Sequence, residues 1–165
     1  MEMDVGARVA EPADLELVTA LVSGAVRSLR SERGGQQLLE RELSDFAGSP
    51  SELSDVLRAY LYPAGDHLAV VGEVDGVAVG LALVRFDETQ PGPRVATVEA
   101  VYVETEARGV GVGESILAEV SELAGTRGAS SIDAYALPGM SELKNFFESA
   151  GFVARLLTMR GPVRR

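Results

Sequence analysis

Val98-Glu99-Ala100-Val101-Tyr102-Val103-Glu104-Thr105-Glu106-Ala107-Arg108-Gly109-Val110-Gly111-Val112-Gly113-Glu114-Ser115 runs from an apolar stretch of strand character, through a glycine-rich turn, into a helix whose Ile116, Leu117, Val120 and Leu123 recur at helical spacing. The first N–H groups of a helix have no intrahelical partner, and the helix dipole adds partial positive charge there. A phosphate satisfies both. Gly111 and Gly113 lack Cβ atoms, so an anion can approach the backbone closely, and Arg108 adds a permanent cation. A simpler reading is that the glycines only shape a tight turn. The spacing departs from the dinucleotide fingerprint Gly-x-Gly-x-x-Gly, and no Gly-Lys-Ser/Thr ending is present to make a nucleotide triphosphate loop.

Upstream of this stretch lies strand-like sequence. Residues 67–74 and 77–86 flank Asp75-Gly76, a hairpin signal, and after a turn-rich segment at 87–93 a third run covers 94–103. The three form an antiparallel meander. Nearer the N-terminus, residues 5–10 read as a short strand. Pro12 and Asp14 then open a helix carrying Leu15, Val18, Leu21, Val22, Ala25 and Leu29. Further helices are expected over 37–46 and 51–61. Downstream, the expectation is a strand at 131–136, a helix over 140–149 stopped by Gly151, and a last strand or strand pair over 152–159. Helices thus interrupt a mixed, mostly antiparallel sheet of about six to seven strands. This makes an α/β (α+β) fold in one domain over residues 1–165.

Composition narrows the chemistry. With 25 acidic and 15 basic residues, the net charge of −10 repels nucleic acid and anionic lipid. An anionic ligand therefore needs its own local donors. Cysteine is absent, which excludes disulfides and thiolate chemistry, and the lone His67 excludes multi-histidine metal sites. No metal is expected. The acidic start lacks the features of a signal peptide and no apolar run is long enough to cross a bilayer, so the expected location is cytoplasmic.

Val101-Tyr102-Val103 followed by Arg108-x-x-Gly-x-Gly resembles the acetyl-CoA-binding signature of the GCN5-related N-acetyltransferase (GNAT) superfamily, Arg/Gln-x-x-Gly-x-Gly/Ala. Phe146-Phe147-Glu148-Ser149-Ala150-Gly151-Phe152 resembles that family's later Phe-Tyr-Glu-x-x-Gly-Phe motif. Arg8-x-Ala-x-x-x-Asp14 and the hairpin Val74-Asp75-Gly76-Val77-x-Val79-Gly80 are also similar to it, so the resemblance spans nearly the whole chain in order.

The resemblance implies an acyl-CoA N-acyltransferase fold and acetyl transfer from acetyl-CoA to an amine, on a small molecule or a protein. It implies that the backbone of Val101, Tyr102 and Val103 meets the pantetheine arm, and that Arg108, Gly109, Val110, Gly111, Val112 and Gly113 hold the pyrophosphate. It also allows a homodimer and a cofactor contact from Asn145. An alkyl ammonium must lose a proton before it attacks a thioester. Glu99, a carboxylate in an apolar strand at a position where the family often has an acid, is the candidate base. By strand parity it should share a face with Val101 and Val103, unless a bulge intervenes. Its other readings are a solvent-facing Glu or one paired with an Arg. Phe147 departs from the family's proton-donating Tyr, and Tyr135 is a possible substitute or a core tyrosine. Tyr60, Tyr62 and His67 either line the acceptor site or pack, and Arg27, Arg30 and Arg33 form a basic face. A non-catalytic acyl-CoA sensor is the alternative reading.

Overall fold

A computed structural model describes all residues except 63–64, 88–91 and 165. The chain forms β1 (Val5–Val9), α1 (Leu15–Ser31), α2 (Gly35–Arg41), α3 (Pro50–Leu57), β2 (His67–Val74), β3 (Val77–Asp87), β4 (Arg94–Val103), α4 (Val112–Thr126), β5 (Ala129–Ala134) and α5 (Ser141–Ser149). One sheet runs in the order β1-β2-β3-β4-β5; every pair is antiparallel except β4 and β5. The parallel pair is joined by α4, the crossover that parallel strands require.

Each strand alternates its side chains between two helical layers. Leu81 and Leu83 of β3 join Ala69 and Val71 of β2 against α1, α2 and α3. Val70, Ala82, Val84, Ala96 and Val98 instead face Val112, Ile116, Val120 and Ala124 of α4. Helix α4 lies unusually close to the sheet. A Cβ built on Gly72 would stand 2.6 Å from Val112 Cγ1 and 2.7 Å from Ile116 Cδ1.

Local signals explain most boundaries. Ser49 accepts from the Glu52 N–H while Glu52 accepts from the Ser49 N–H, and Pro50 fills the first position of α3. The β2–β3 turn places Asp75 and Gly76 at positive φ, 49° and 77°, as a two-residue hairpin needs. Arg8 holds Asp14 through two hydrogen bonds of 2.8 and 3.1 Å and reaches Glu73 at 2.8 Å, tying β1 to the entry of α1 and the end of β2.

Several expectations need correction. The sheet has five strands among the described residues, not six to seven, because residues 152–159 pair with no described strand. The helices expected over 37–46 and 51–61 each end early and close with a 3-10 turn, Ser44–Phe46 and Arg58–Tyr60. Such turns are frequent at helix ends, and these two carry the buried rings of Phe46 and Tyr60. The strand expected at 131–136 starts and ends two residues earlier, its register set by β4. Of the turn-rich segment 87–93, residues 88–91 lie outside the described residues.

Candidate active site

The loop before α4 takes its shape from two glycines. Gly109 and Gly111 have φ of 81° and 100°, where a side chain is strained. Gly111 is the N-cap of α4, and no side chain bonds to the helix start. A Cβ on Gly109 or Gly111 would meet nothing within 4 Å, so the amides at this mouth border open space. Gly113 serves differently: a Cβ there would come within 3.2 Å of the Phe146 ring, so its absence lets α5 close against α4. Arg108 is drawn back along the loop. Its Nε donates to the Val103 carbonyl at 2.9 Å, and its guanidinium lies 5.9 Å from the centre of the Tyr102 ring.

Beside this mouth the sheet splits. The β4–β5 ladder ends at Val98↔Ala134, while β4 continues to Val103 paired with β3. The side of β4 that turns away from β3 therefore opens from Glu99 onward. A cleft of about 490 Å³ fills the opening. Val101, Tyr102 and Val103 form its floor, and Arg108, Gly109, Val112 and Gly113 one end. Leu143 and Phe146 of α5 and its N-cap Met140 form another wall, with Ser28 of α1 and its C-cap Glu32 also lining the cleft. Glu32, Glu114 and Glu142 also border it. Besides Arg108, what this end of the cleft offers an anion is backbone amides and the helix dipole rather than side-chain charge.

Glu99 sits at the bend. The β3–β4 register shifts between Leu83↔Ala100 and Val84↔Val98, leaving Glu99 as the extra residue of a β-bulge. The bulge overturns the expected parity. Val101 and Val103 pack toward α4, whereas Ala100 and Tyr102 pack toward α1. Glu99 turns to that α1 side, where the buried Tyr60 hydroxyl donates to its Oε1 at 2.6 Å. Arg85 Nη1 lies 4.0 Å from Oε2, so the Glu99 carboxylate is both buried, at 7 % exposure, and near an arginine. Burial pushes its pKa up from the usual carboxylate value, while the Tyr60 hydrogen bond and the Arg85 and His67 charges work against that rise. Burial and the Glu99 charge push the Tyr60 phenol well above its ordinary value, so it stays protonated.

The other expected residues divide. Tyr60 and His67 join the Glu99 cluster, with their rings edge to face at 4.8 Å. Tyr62 is exposed at 59 %. Tyr135 approaches Glu42 Oε2 at 3.5 Å, and burial and that carboxylate raise its pKa. Phe147 is buried, 5.3 and 5.1 Å from the rings of Phe146 and Phe152; of the two adjacent phenylalanines, Phe146 is the one lining the cleft. Asn145 lines a neighbouring groove between α4 and α5. Arg27, Arg30 and Arg33 are exposed. Sequence reasoning missed Arg85. Its signal was a cation two residues beyond Leu83 in an apolar strand, on the face that carries Leu81 and Leu83.

A split parallel pair, a glycine-shaped helix mouth at its open end and a buried carboxylate at the split define an acyltransferase architecture. Sequence comparison agrees with it: the model of the acetyltransferase (GNAT) family matches residues 35–152, and the chain belongs to that family. No curated protein matches it. Among solved structures, it is similar to a transcriptional regulator from Bacillus halodurans C-125, at 23 % identity and TM-score 0.70 over 97 % of this chain and all of that one. It is also similar to an aminoglycoside N-acetyltransferase in complex with CoA (19 %, TM-score 0.67, covering 98 % and 96 % of the two chains). An aminoglycoside acetyltransferase from an uncultured soil metagenomic sample shares 17 % identity (TM-score 0.68, 99 % and 100 %). At these identities the likeness is one of fold. Among the described residues no helix is long and apolar enough to cross a membrane, and no group of His, Asp and Glu is placed to hold a metal ion.

Proposed function

We propose that this protein transfers the acetyl group of acetyl-CoA to the amine of a small, cationic molecule. The observation that carries this reading is the meeting of two features in one cleft: the open amide mouth at Gly111 and the β4 edge freed by the split from β5. The mouth suits a diphosphate, with Gly109, Val110, Gly111, Val112 and Gly113 supplying main-chain N–H groups and Arg108 one charge. The freed edge at Val101, Tyr102 and Val103 suits the amide-bearing pantetheine arm. Asn145 stands outside this cleft, so its cofactor contact requires the cofactor to extend past α5.

In the reaction the acceptor ammonium loses a proton to Glu99, directly or through water. The freed amine attacks the thioester carbonyl, whose oxygen takes up negative charge stabilised by a backbone N–H near Val101. The tetrahedral intermediate collapses with cleavage of the C–S bond. The nitrogen gives up its surplus proton through water to the leaving thiolate, since Phe147 has no proton to give, and the proton held by Glu99 returns to solvent. A carboxylate whose pKa is raised by burial is a better base than a free glutamate. The net charge of −10 and the acids bordering the cleft favour a cationic acceptor by steering. Aminoglycosides, named for two of the structural neighbours, belong to that class.

A second reading has two observations in its favour: a neighbour of the same fold is named a transcriptional regulator, and Phe147 stands where many family members carry a tyrosine. In that reading the chain binds acyl-CoA without turnover. Thiol release measured across a panel of mono- and polyamines separates the two. Turnover that Glu99→Gln abolishes supports the enzyme. Tight acetyl-CoA binding with no turnover on any amine supports the sensor, and no binding at all sinks both.

A further inference from the structure

Thr97 and Glu99 are buried polar residues of β4, and both meet charged side chains of β3. Arg85 stands opposite Thr97 in the ladder, and Asp87, two positions on, shares its face. One guanidinium thus lies between two carboxylates, and it favours one of them. Its Nε is 3.1 Å from Asp87 Oδ1, whereas its Nη1 stops 4.0 Å from Glu99 Oε2, beyond hydrogen-bond reach. Asp87 is itself steadied by the Thr97 hydroxyl, which donates to its Oδ2 at 3.4 Å.

The consequence falls on Glu99. The Tyr60 hydroxyl occupies Oε1, and among the described residues no hydrogen bond reaches Oε2. An arginine hydrogen-bonded to Oε2 would harm a base in two ways. It would hold the carboxylate in its charged, weakly basic form, and it would stand where an ammonium has to arrive. The titratable and charged groups around Glu99 are Tyr60 of the turn after α3, His67 of β2, Arg85 and Asp87 of β3, and Tyr135 beyond β5. Burial is the main cause that raises the Glu99 pKa; the Arg85 charge opposes the rise and the Asp87 charge supports it.

We propose that Asp87 is a positioning residue for the transfer reaction, holding the Arg85 guanidinium back from Glu99 so that Oε2 stays open to the acceptor's ammonium. The inference rests on the reading of Glu99 as the base. Asp87 touches neither the acceptor nor the cofactor; it acts through Arg85.

Asp87→Asn keeps the shape of the side chain and releases Arg85 to close on Glu99. At neutral pH the kcat/KM for the amine should fall roughly tenfold, mostly through the KM for the amine. The acid limb of its pH profile should move to lower pH, and the KM for acetyl-CoA should hold. Adding Arg85→Gln removes the released cation, so it should restore most of the loss and carry the limb back to higher pH. Arg85→Gln alone should move the limb above the parent's, which keeps the test decisive if Asp87→Asn fails to fold. A parental profile for Asp87→Asn overturns the proposal, and so does a loss that Arg85→Gln deepens. So too does an amine KM that Arg85→Gln alone raises on the alkaline side of the limb, since Arg85 would then be an acceptor ligand. Glu99→Gln, assayed alongside, shows which reading has failed. Parental turnover by that variant removes the base and this proposal together. An inactive Glu99→Gln beside an unaffected Asp87→Asn leaves the base standing and removes only the role of Asp87.

Discussion

The Tyr60 hydroxyl donates a 2.6 Å hydrogen bond to Glu99 Oε1, joining the 3-10 turn after α3 to the bulge of β4 across 39 positions of sequence. The bond favours the charged carboxylate where burial favours the neutral one. Tyr60→Phe keeps the ring packing against Phe46 and His67 and removes only this donor. The Glu99 pKa should then rise further. Because the base must be deprotonated, the acid limb of the kcat/KM profile should move to higher pH with little change in KM for acetyl-CoA. An unmoved limb would separate Tyr60 from the base.

Glu99→Gln should lower kcat by roughly 10²–10⁴-fold, the usual worth of a general base. Its effect on stability has the opposite sign. A carboxyl whose folded pKa lies above its unfolded value binds protons more tightly in the native state. Stability is therefore lost as pH rises from the unfolded pKa through the folded one. The glutamine variant, which accepts the Tyr60 hydrogen bond without a charge, should be the more stable protein at pH 7. The difference should vanish below the ordinary glutamate pKa of about 4.3. Thermal melts at pH 4 and pH 7 check both halves.

Gly111→Asp should abolish CoA binding in calorimetry. It forces a side chain into φ of 100° and sets a negative charge where phosphate belongs. Gly111→Ala isolates the backbone cost, about 1–2 kcal/mol of stability, and should weaken binding only in part. Equal affinities for both variants and the parent would move the anion site elsewhere.

Arg108→Ala should raise the KM for acetyl-CoA by only about tenfold, a loss of ~1.4 kcal/mol. Its guanidinium is committed to the Val103 carbonyl and the Tyr102 ring, and three glutamates border the same cleft. A loss of a thousandfold or more would show the arginine, not the amides, to be the principal anion ligand.

Much of this was legible in the chain because it is written locally. Asp75-Gly76 fixes the hairpin, Ser49-Pro50 with Glu52 fixes the start of α3, and Arg108-x-x-Gly-x-Gly fixes the α4 turn. These features depend on neighbours within a few residues. What escaped is relational. The Glu99 bulge is a property of the register between β3 and β4, and it reversed the face assigned to the carboxylate. Arg85 and Tyr60 reach Glu99 from other segments, so no motif links them to it, although the place of Arg85 on the Leu81–Leu83 face is a signal of its own. The strand expected over 152–159 has the composition of one, but strand pairing requires a neighbour, and none of the described strands lies beside it.

Gly72 and Gly80 carry α4 on bare backbone, with Val112 Cγ1 and Ile116 Cδ1 within about 3 Å of where either Cβ would stand. At these two positions the first turns of α4 thus meet the strands with no side chain between them. One methyl at either glycine would act as a shim, pushing the start of α4 away from the strands and, on the proposed reading, lengthening the span between diphosphate and thioester. Two positions remote from the reacting atoms therefore set the gauge of the whole cleft.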